Sequence, residues 1–163
     1  MHVSDKIYTV RFPLWDTSNT CQGEKLDDNA GLVCTPATDT IREVSDYGPA
    51  WDSVDCNAVG DSNGIRHITA IKGMGNFKDT GKVDVFCLFR TYYQKIWTEG
   101  GYLYISRSFV PRDGYKVVPQ AINKDGSINN WFTIGKYVVG EIPDDNGTHK
   151  LYSSKGLQSD PSY

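Results

Sequence analysis

The stretch from residue 91 to residue 109 constrains the fold more than any other part of the chain. Two runs rich in β-branched and aromatic residues, 91–97 and 102–109, flank the turn sequence Thr98-Glu99-Gly100-Gly101. A short connection containing glycine between two such runs is typical of a β-hairpin, because tight turns need backbone conformations that glycine adopts without strain. The pattern therefore predicts an antiparallel pair of strands here.

The sequence predicts further strands in other parts of the chain. Alternating or β-rich patterns predict strands at residues 7–12, 65–71, 82–89, 115–118 and 131–142. No amphipathic helical period stands out, and only residues 38–45 could form one short turn of helix. Aromatic residues make up 12% of the chain, which also contains 16 glycines, a combination that favours pleated sheets and tight turns. The predicted fold is mostly β, an antiparallel sandwich or barrel-like sheet with little helix.

The N-terminal part lacks a clear pattern. Residues 16–55 show little periodicity and are rich in Asp, Thr, Asn and Gly. They are predicted to form a long irregular segment held by four apolar side chains: Trp15, Leu32, Val33 and Trp51. The expected organisation is an extended arm with loops and one strand (1–60), an antiparallel β domain (61–128) and a C-terminal region (129–163).

Composition narrows the classes of partner. The formal net charge is −3 and the basic residues are scattered, so no nucleic-acid partner is predicted. Apolar runs are short, and the N-terminal sequence has no apolar core of a signal peptide, so we expect no membrane insertion and synthesis in a cytoplasm. The four cysteines (Cys21, Cys34, Cys56 and Cys87) form no C-x-x-C pair; reduced thiols are favoured, with two disulfides as the alternative.

The sequence gives only weak signals for catalysis, metal binding or cofactor binding. The three histidines have no neighbours at metal-ligand spacing, and no phosphate-binding loop, dinucleotide motif or nucleophile elbow is present in the sequence. The Asp- and Asn-rich turns lack the closing Glu of a calcium-binding loop. We predict no catalytic residues, no metal and no cofactor.

The hairpin offers a candidate binding surface. Tyr102 and Tyr104 share one strand face, and they point outward if Leu103 and Ile105 face the core. Tyr and Trp suit contacts with protein or sugar, although such rings more often cover a second sheet or a neighbouring subunit. The predicted ligand-binding or subunit-interface residues are Tyr93, Lys95, Trp97, Tyr102 and Tyr104.

Two sets of motifs carry a family resemblance. The segment Trp131-Phe132-Thr133-Ile134-Gly135-Lys136-Tyr137, followed by Ser153-Ser154-Lys155-Gly156-Leu157, resembles the opening of C-type-lectin-like domains related to the formylglycine-generating enzyme. That family usually has Glu where this chain has Val138. The upstream pieces are similar to phage tail or minor structural proteins: Cys34-Thr35-Pro36-Ala37-Thr38-Asp39, Gly64-Ile65-Arg66, Lys72-Gly73, Asp113-Gly114 and residues 121–128.

The resemblance implies a non-enzymatic structural protein of a bacteriophage virion. Residues 129–163 would then be the start of a lectin-like region or a C-terminal extension. The chain would be either a fragment or a short version that keeps only the mounting region, and no binding residue is carried over because the positions that would hold it are absent. The chain would be made in the bacterial host cytoplasm and assemble, as a trimer or another homo-oligomer, with other proteins of a tail, baseplate or fibre. It would present a module that binds a host-surface glycan or protein. The alternatives are a freestanding carbohydrate-binding β module and a cell-wall hydrolase.

Overall fold

A computed structural model describes residues 6–18, 23–32, 47–62, 65–143, 146–147 and 149–156. Strands make up 48% of this part, and its helical structure includes short 3-10 helices at Pro49–Trp51 and Pro119–Ala121. The predicted class, mostly β with antiparallel sheets and little helix, is confirmed. No helix within these ranges is long and apolar enough to span a membrane. The strands are β1 (Ile7–Pro13), β2 (Glu24–Asp27), β3 (Ser53–Gly60), β4 (Arg66–Ile71), β5 (Val85–Arg90), β6 (Tyr93–Glu99), β7 (Tyr102–Ser108), β8 (Lys116–Val117), β9 (Trp131–Gly135), β10 (Gly140–Pro143) and β11 (His149–Tyr152).

The chain folds into two compact units, each assembled from separate stretches of sequence. The first unit combines Met1–Ser53 with Phe89–Phe132, and the second combines Val54–Leu88 with Thr133–Tyr163. The division expected from the sequence, by contrast, consists of three continuous segments: 1–60, 61–128 and 129–163.

The first unit contains a five-stranded sheet in the order β2-β1-β7-β6-β8. The pairs β1–β2, β1–β7, β6–β7 and β6–β8 are antiparallel. The predicted hairpin is confirmed as β6 and β7, which pair from Tyr93↔Ser108 to Glu99↔Tyr102. Gly100 and Gly101 make its turn with φ of 57° and 82°, a left-handed conformation that a side chain would strain.

One face of this sheet, which we call the core face, packs on the segment that contains the first 3-10 helix. Tyr8 and Val10 are 3% and 0% exposed and cluster with Ala50 and Trp51. Partly buried side chains complete the cluster: Phe12, Tyr47, Ile105 and Phe109. Strand alternation explains the arrangement, since Tyr8 and Val10 are two residues apart and Val10 lies opposite Ile105.

Arg107 lies between two aromatic rings, those of Trp51 in the core-face cluster and of Tyr92. Its guanidinium carbon lies 4.6 Å from the centre of the Trp51 ring and 4.0 Å from that of Tyr92. Nε donates to Gln94 Oε1 (2.9 Å) and Nη1 donates to the carbonyl of Ala50 (3.1 Å). Burial lowers the pKa of this guanidinium, partly offset by Tyr92, yet the ring faces and acceptors keep the cation satisfied.

The second unit has a smaller apolar cluster, which is accompanied by side-chain hydrogen bonds and ion pairs. The strand order of its sheet is β4-β3-β5-β9, and β10 pairs with β11 as a separate antiparallel hairpin. Its cluster consists of the buried residues Cys56, Ala58 and Phe86 with partly buried neighbours. The Asn57 side chain bonds both backbone groups of Lys78, through Oδ1 at 2.9 Å and Nδ2 at 2.7 Å, and Nδ2 also donates to the carbonyl of Asp84.

An ion-pair cluster lies on the same sheet. Oδ2 of Asp55 lies 2.6 Å from Nζ of Lys136 and 3.2 Å from Nζ of Lys72. Burial acts to raise the pKa of Asp55, but the hydrogen bonds and charges of Lys136 and Lys72 outweigh it and the pKa is lowered.

The interpretation of residues 16–55 as irregular is wrong in part. This stretch contains β2, the first 3-10 helix and the start of β3. Trp51 is 7% exposed and packs in the core-face cluster, whereas Trp15 and Leu32 are 64% and 38% exposed. Val33 and the possible helical turn at 38–45 lie outside the described residues.

Two of the four cysteines can be placed. Cys56 and Cys87 lie within the described ranges, whereas Cys21 and Cys34 lie outside them, so the preference for reduced thiols stays a prediction. Cys56 is fully buried, and burial, helped by the nearby Cys87 and Asp55, raises the pKa of its thiol. Cys87 is half-buried.

Candidate binding face

The face of the five-stranded sheet opposite the core face carries a contiguous aromatic surface. The strand register places Glu24, Arg11, Tyr104 and Trp97 in one row across β2, β1, β7 and β6. Tyr102 lies two residues from Tyr104 on β7 and therefore projects from the same side. We call this surface the aromatic face; it consists of Arg11, Trp15, Lys95, Trp97, Tyr102 and Tyr104.

The rings of the aromatic face contact one another. Trp97 and Tyr104 stack with ring centres 4.8 Å apart and planes inclined by 9°. Tyr102 lies 6.4 Å from Tyr104 in a tilted arrangement, and Trp15 meets Tyr102 edge-on at 4.7 Å. Such pairs add to the stability given by burial alone, so the four rings form an ordered group before any partner binds.

Two cations flank the rings. The guanidinium carbon of Arg11 lies 4.3 Å from the centre of the Tyr102 ring, and its Nη1 donates to the Tyr104 hydroxyl at 3.3 Å. Nε of Arg11 donates to Glu24 Oε2 at 2.6 Å. The hydrogen bond to Tyr104 has the largest effect on the pKa of Arg11, and together with the bond to Glu24 it raises that pKa. Nζ of Lys95 lies 5.3 Å from the centre of the Trp97 ring, which is within cation–π range.

Exposure differs along this sheet face. Trp15 is 64% exposed, and Trp97, Tyr102 and Tyr104 are half-buried. Beyond Tyr104 on β7, Ser106 is only 1% exposed and its hydroxyl lies 2.7 Å from that of Tyr115. The polar end of the face is thus covered by the chain itself, whereas the aromatic end is open.

The structure brings together four of the five predicted site residues. The contacts across β6 and β7 run from Lys95 to Trp97, from Trp97 to Tyr104 and from Tyr104 to Tyr102. Tyr93 does not join the described ring contacts of the group, because it lies four residues from Trp97, roughly 13 Å along an extended strand. It lines a separate cleft.

Sequence reasoning missed two members of the aromatic face. Arg11 lies opposite Tyr104 because β1 pairs with β7, a contact between residues 93 positions apart that no local pattern reveals. Trp15 follows β1, and the bond from the Leu14 amide to the Gly101 carbonyl holds this segment beside the hairpin turn. The only sequence signals for these two were that Arg11 lies within the first predicted strand and that Trp15 closely follows it.

The cleft that Tyr93 lines has a volume of about 250 Å³. Its walls come from Arg90, Thr91, Tyr93, Phe109, Ile128, Asn129 and Asn130, all in the first unit. These walls contribute one cation and no carboxylate.

The described residues contain no group of three or more His, Cys, Asp or Glu side chains placed to hold a metal ion. Comparison with known proteins adds no homologue: no protein-family model, curated protein or solved structure matches this chain. The site must be interpreted from its own geometry.

Proposed function

We propose that this chain is a non-catalytic assembly module that binds a second copy of itself through the aromatic face. The observation that carries the proposal is the contiguous group of four rings, Trp15, Trp97, Tyr102 and Tyr104, open on one sheet face and flanked by Arg11 and Lys95. Trp, Tyr and Arg are the residue types that dominate the binding energy of protein interfaces.

The geometry of the rings favours a protein partner over a sugar. A sugar ring stacks on a free aromatic face, but Trp97 already has one face against Tyr104 and the Lys95 ammonium within 5.3 Å. Rings that are already packed together lose little side-chain freedom on binding, which lowers the entropic cost of association.

The charges around the rings support a second copy as the partner. Arg11 is paired with Glu24, and Lys95 lies on the strand that ends at Glu99, so both signs border the same surface. A surface bearing both charges can be self-complementary, as a symmetric interface requires.

The particle in which this module acts is proposed from the sequence resemblance. We propose a tail, baseplate or fibre component of a phage, where oligomers present several copies of a weak host-binding module and gain avidity. Mass spectrometry of purified particles of a phage that encodes the chain tests this placement. A stoichiometric amount supports it, and absence from the particle contradicts it.

A carbohydrate-binding module is the second candidate, and one observation favours it. Trp15 is 64% exposed and touches Tyr102 only edge-on, so its ring offers a surface on which a sugar can stack. In that case Trp15, rather than the stacked pair, is the platform.

The mass of the chain in solution separates the two candidates. Light scattering after size exclusion should give a dimer, trimer or larger closed oligomer for the wild type and a monomer for Trp15→Glu. The matched control is Trp131→Glu, since Trp131 is 38% exposed and lies on β9, outside the aromatic face. A monomeric wild type whose tryptophan fluorescence changes on adding neutral oligosaccharides would instead support the carbohydrate module.

A further inference from the structure

The cleft next to Arg90 has a composition that suits a small anion. Its walls combine three residues that carry polar side chains, Arg90, Tyr93 and Asn130, with the apolar residues Phe109 and Ile128. At about 250 Å³ it is smaller than the pockets that hold drug-sized ligands and comparable to a single ring with substituents.

Arg90 is positioned for binding. Its guanidinium carbon lies 4.4 Å from the centre of the Phe109 ring, and Phe109 is itself packed edge-on against Tyr8 at 5.9 Å. Within the described ranges the guanidinium has no carboxylate partner. A planar cation fixed on a ring retains its N–H donors along the edge, where they can bind a carboxylate in a bidentate manner.

The part of the cleft formed by Thr91, Asn129 and Asn130 is held by hydrogen bonds to backbone carbonyls. The amide of Thr91 donates to the carbonyl of Asn130 at 3.0 Å, and Thr91 Oγ1 donates to the carbonyl of Asn129 at 2.6 Å. The side chain of Asn129 is occupied by Asn123, with Nδ2 donating to Oδ1 at 2.8 Å. The wall is therefore formed before a ligand arrives, which limits the ordering cost of binding.

We propose that this cleft binds a carboxylate-bearing sugar residue, such as a uronic acid unit. Arg90 binds the carboxylate, the amide of Asn130 and the hydroxyl of Tyr93 bond ring hydroxyls, and Phe109 and Ile128 contact the apolar edge of the ring. The single positive charge and the absence of carboxylates among the lining residues select an acidic sugar over a neutral one. This site does not depend on self-association through the aromatic face.

Titration of the intact chain with glucuronate, followed by two-dimensional NMR, tests the proposal. Saturable shifts should appear at residues 90–93 and 128–130, and glucose at the same concentration should bind at least tenfold more weakly. Arg90→Gln should weaken glucuronate binding by roughly tenfold or more, the range expected for losing a charged hydrogen bond. Arg90→Lys, which keeps the positive charge but lacks the bidentate guanidinium, should give an intermediate loss of glucuronate binding.

Arg66→Gln provides the matched control. Arg66 is stacked on Phe86 at 4.6 Å, as Arg90 is on Phe109, but it lies in the second unit. Its replacement should leave glucuronate binding unchanged. Equal binding of glucose, or full binding by Arg90→Gln, overturns the proposal. Acetate that binds as tightly as glucuronate overturns the assignment to a sugar, because the cleft would then recognise the carboxylate alone.

Discussion

The two faces of the five-stranded sheet both use aromatic side chains, but in opposite ways. On the core face, Tyr8 is 3% exposed under a segment that contributes Trp51. On the aromatic face, Trp97 and Tyr104 stack on each other, and Trp15 beside them is 64% exposed. Both sets of rings are ordered, yet only the first is covered by another part of the described chain.

The comparison teaches that aromatic content alone does not separate core from binding surface. What distinguishes the faces is whether a covering segment is available. On the core face, Asn29 helps to hold the covering segment in place, because its Nδ2 donates to the carbonyl of Tyr47 at 2.5 Å, just before Trp51. The open rings of the other face fit the self-association proposed above.

The largest effect is expected from truncation on the core face. Trp51→Ala should lower the free energy of unfolding by about 3 to 4 kcal/mol, because it removes a buried ring and leaves a cavity beside Val10 and Ala50. Denaturant titration of the wild type and variant measures this change. Trp51→Phe, which keeps most of the volume, should lose less than half as much. A loss below about 1 kcal/mol for Trp51→Ala would mean that the segment does not cover the core face.

Arg107→Ala should have the next largest effect, about 2 kcal/mol, because two cation–π contacts and two hydrogen bonds are lost. The same denaturant titration applies. Arg107→Met restores most of the apolar stem and should recover part of the loss. If Arg107→Met were as stable as the wild type, Arg107 would stabilise the fold through the packing of its side chain alone. The cation–π contacts with Trp51 and Tyr92 would then add nothing to stability.

A smaller effect on stability is expected on the aromatic face. Trp97→Ala should lower the free energy of unfolding of the monomer by about 1 kcal/mol, since its ring is half-buried and loses mainly its stack on Tyr104. Its effect on the solution mass should instead be large. Unfolding monitored below the association concentration, with light scattering above it, separates the two readouts. A variant that is strongly destabilised but still oligomeric would reverse the roles of the two faces.

Local sequence patterns predicted those parts of the fold that depend on neighbouring residues. The β6–β7 hairpin and the outward position of Tyr102 and Tyr104 follow from alternation and a glycine turn. Strand β2 was missed because four residues, Glu24–Asp27, are too few to show a period. Strand β3 was missed because Cys56, Asn57 and Ala58 are all buried in succession, so its exposure does not alternate.

The aromatic face was only partly predictable for the same physical reason. Lys95, Trp97, Tyr102 and Tyr104 lie on one hairpin, so local register unites them. Arg11 joins them through the pairing of β1 with β7, which one sequence does not specify. Tyr93 was grouped with them by alternation, although distance along β6 places it at the Arg90 cleft.

Oxidative footprinting of the tryptophans tests most directly whether the aromatic face is the contact surface. The wild-type chain is exposed to hydroxyl radicals at concentrations below and above association, and oxidation of each Trp is read by mass spectrometry. We predict that Trp15 and Trp97 become protected at the higher concentration, while Trp131 is oxidised equally at both. Unchanged oxidation of Trp15 in an oligomer, or protection of Trp131 alone, would contradict the assignment of the aromatic face as the interface.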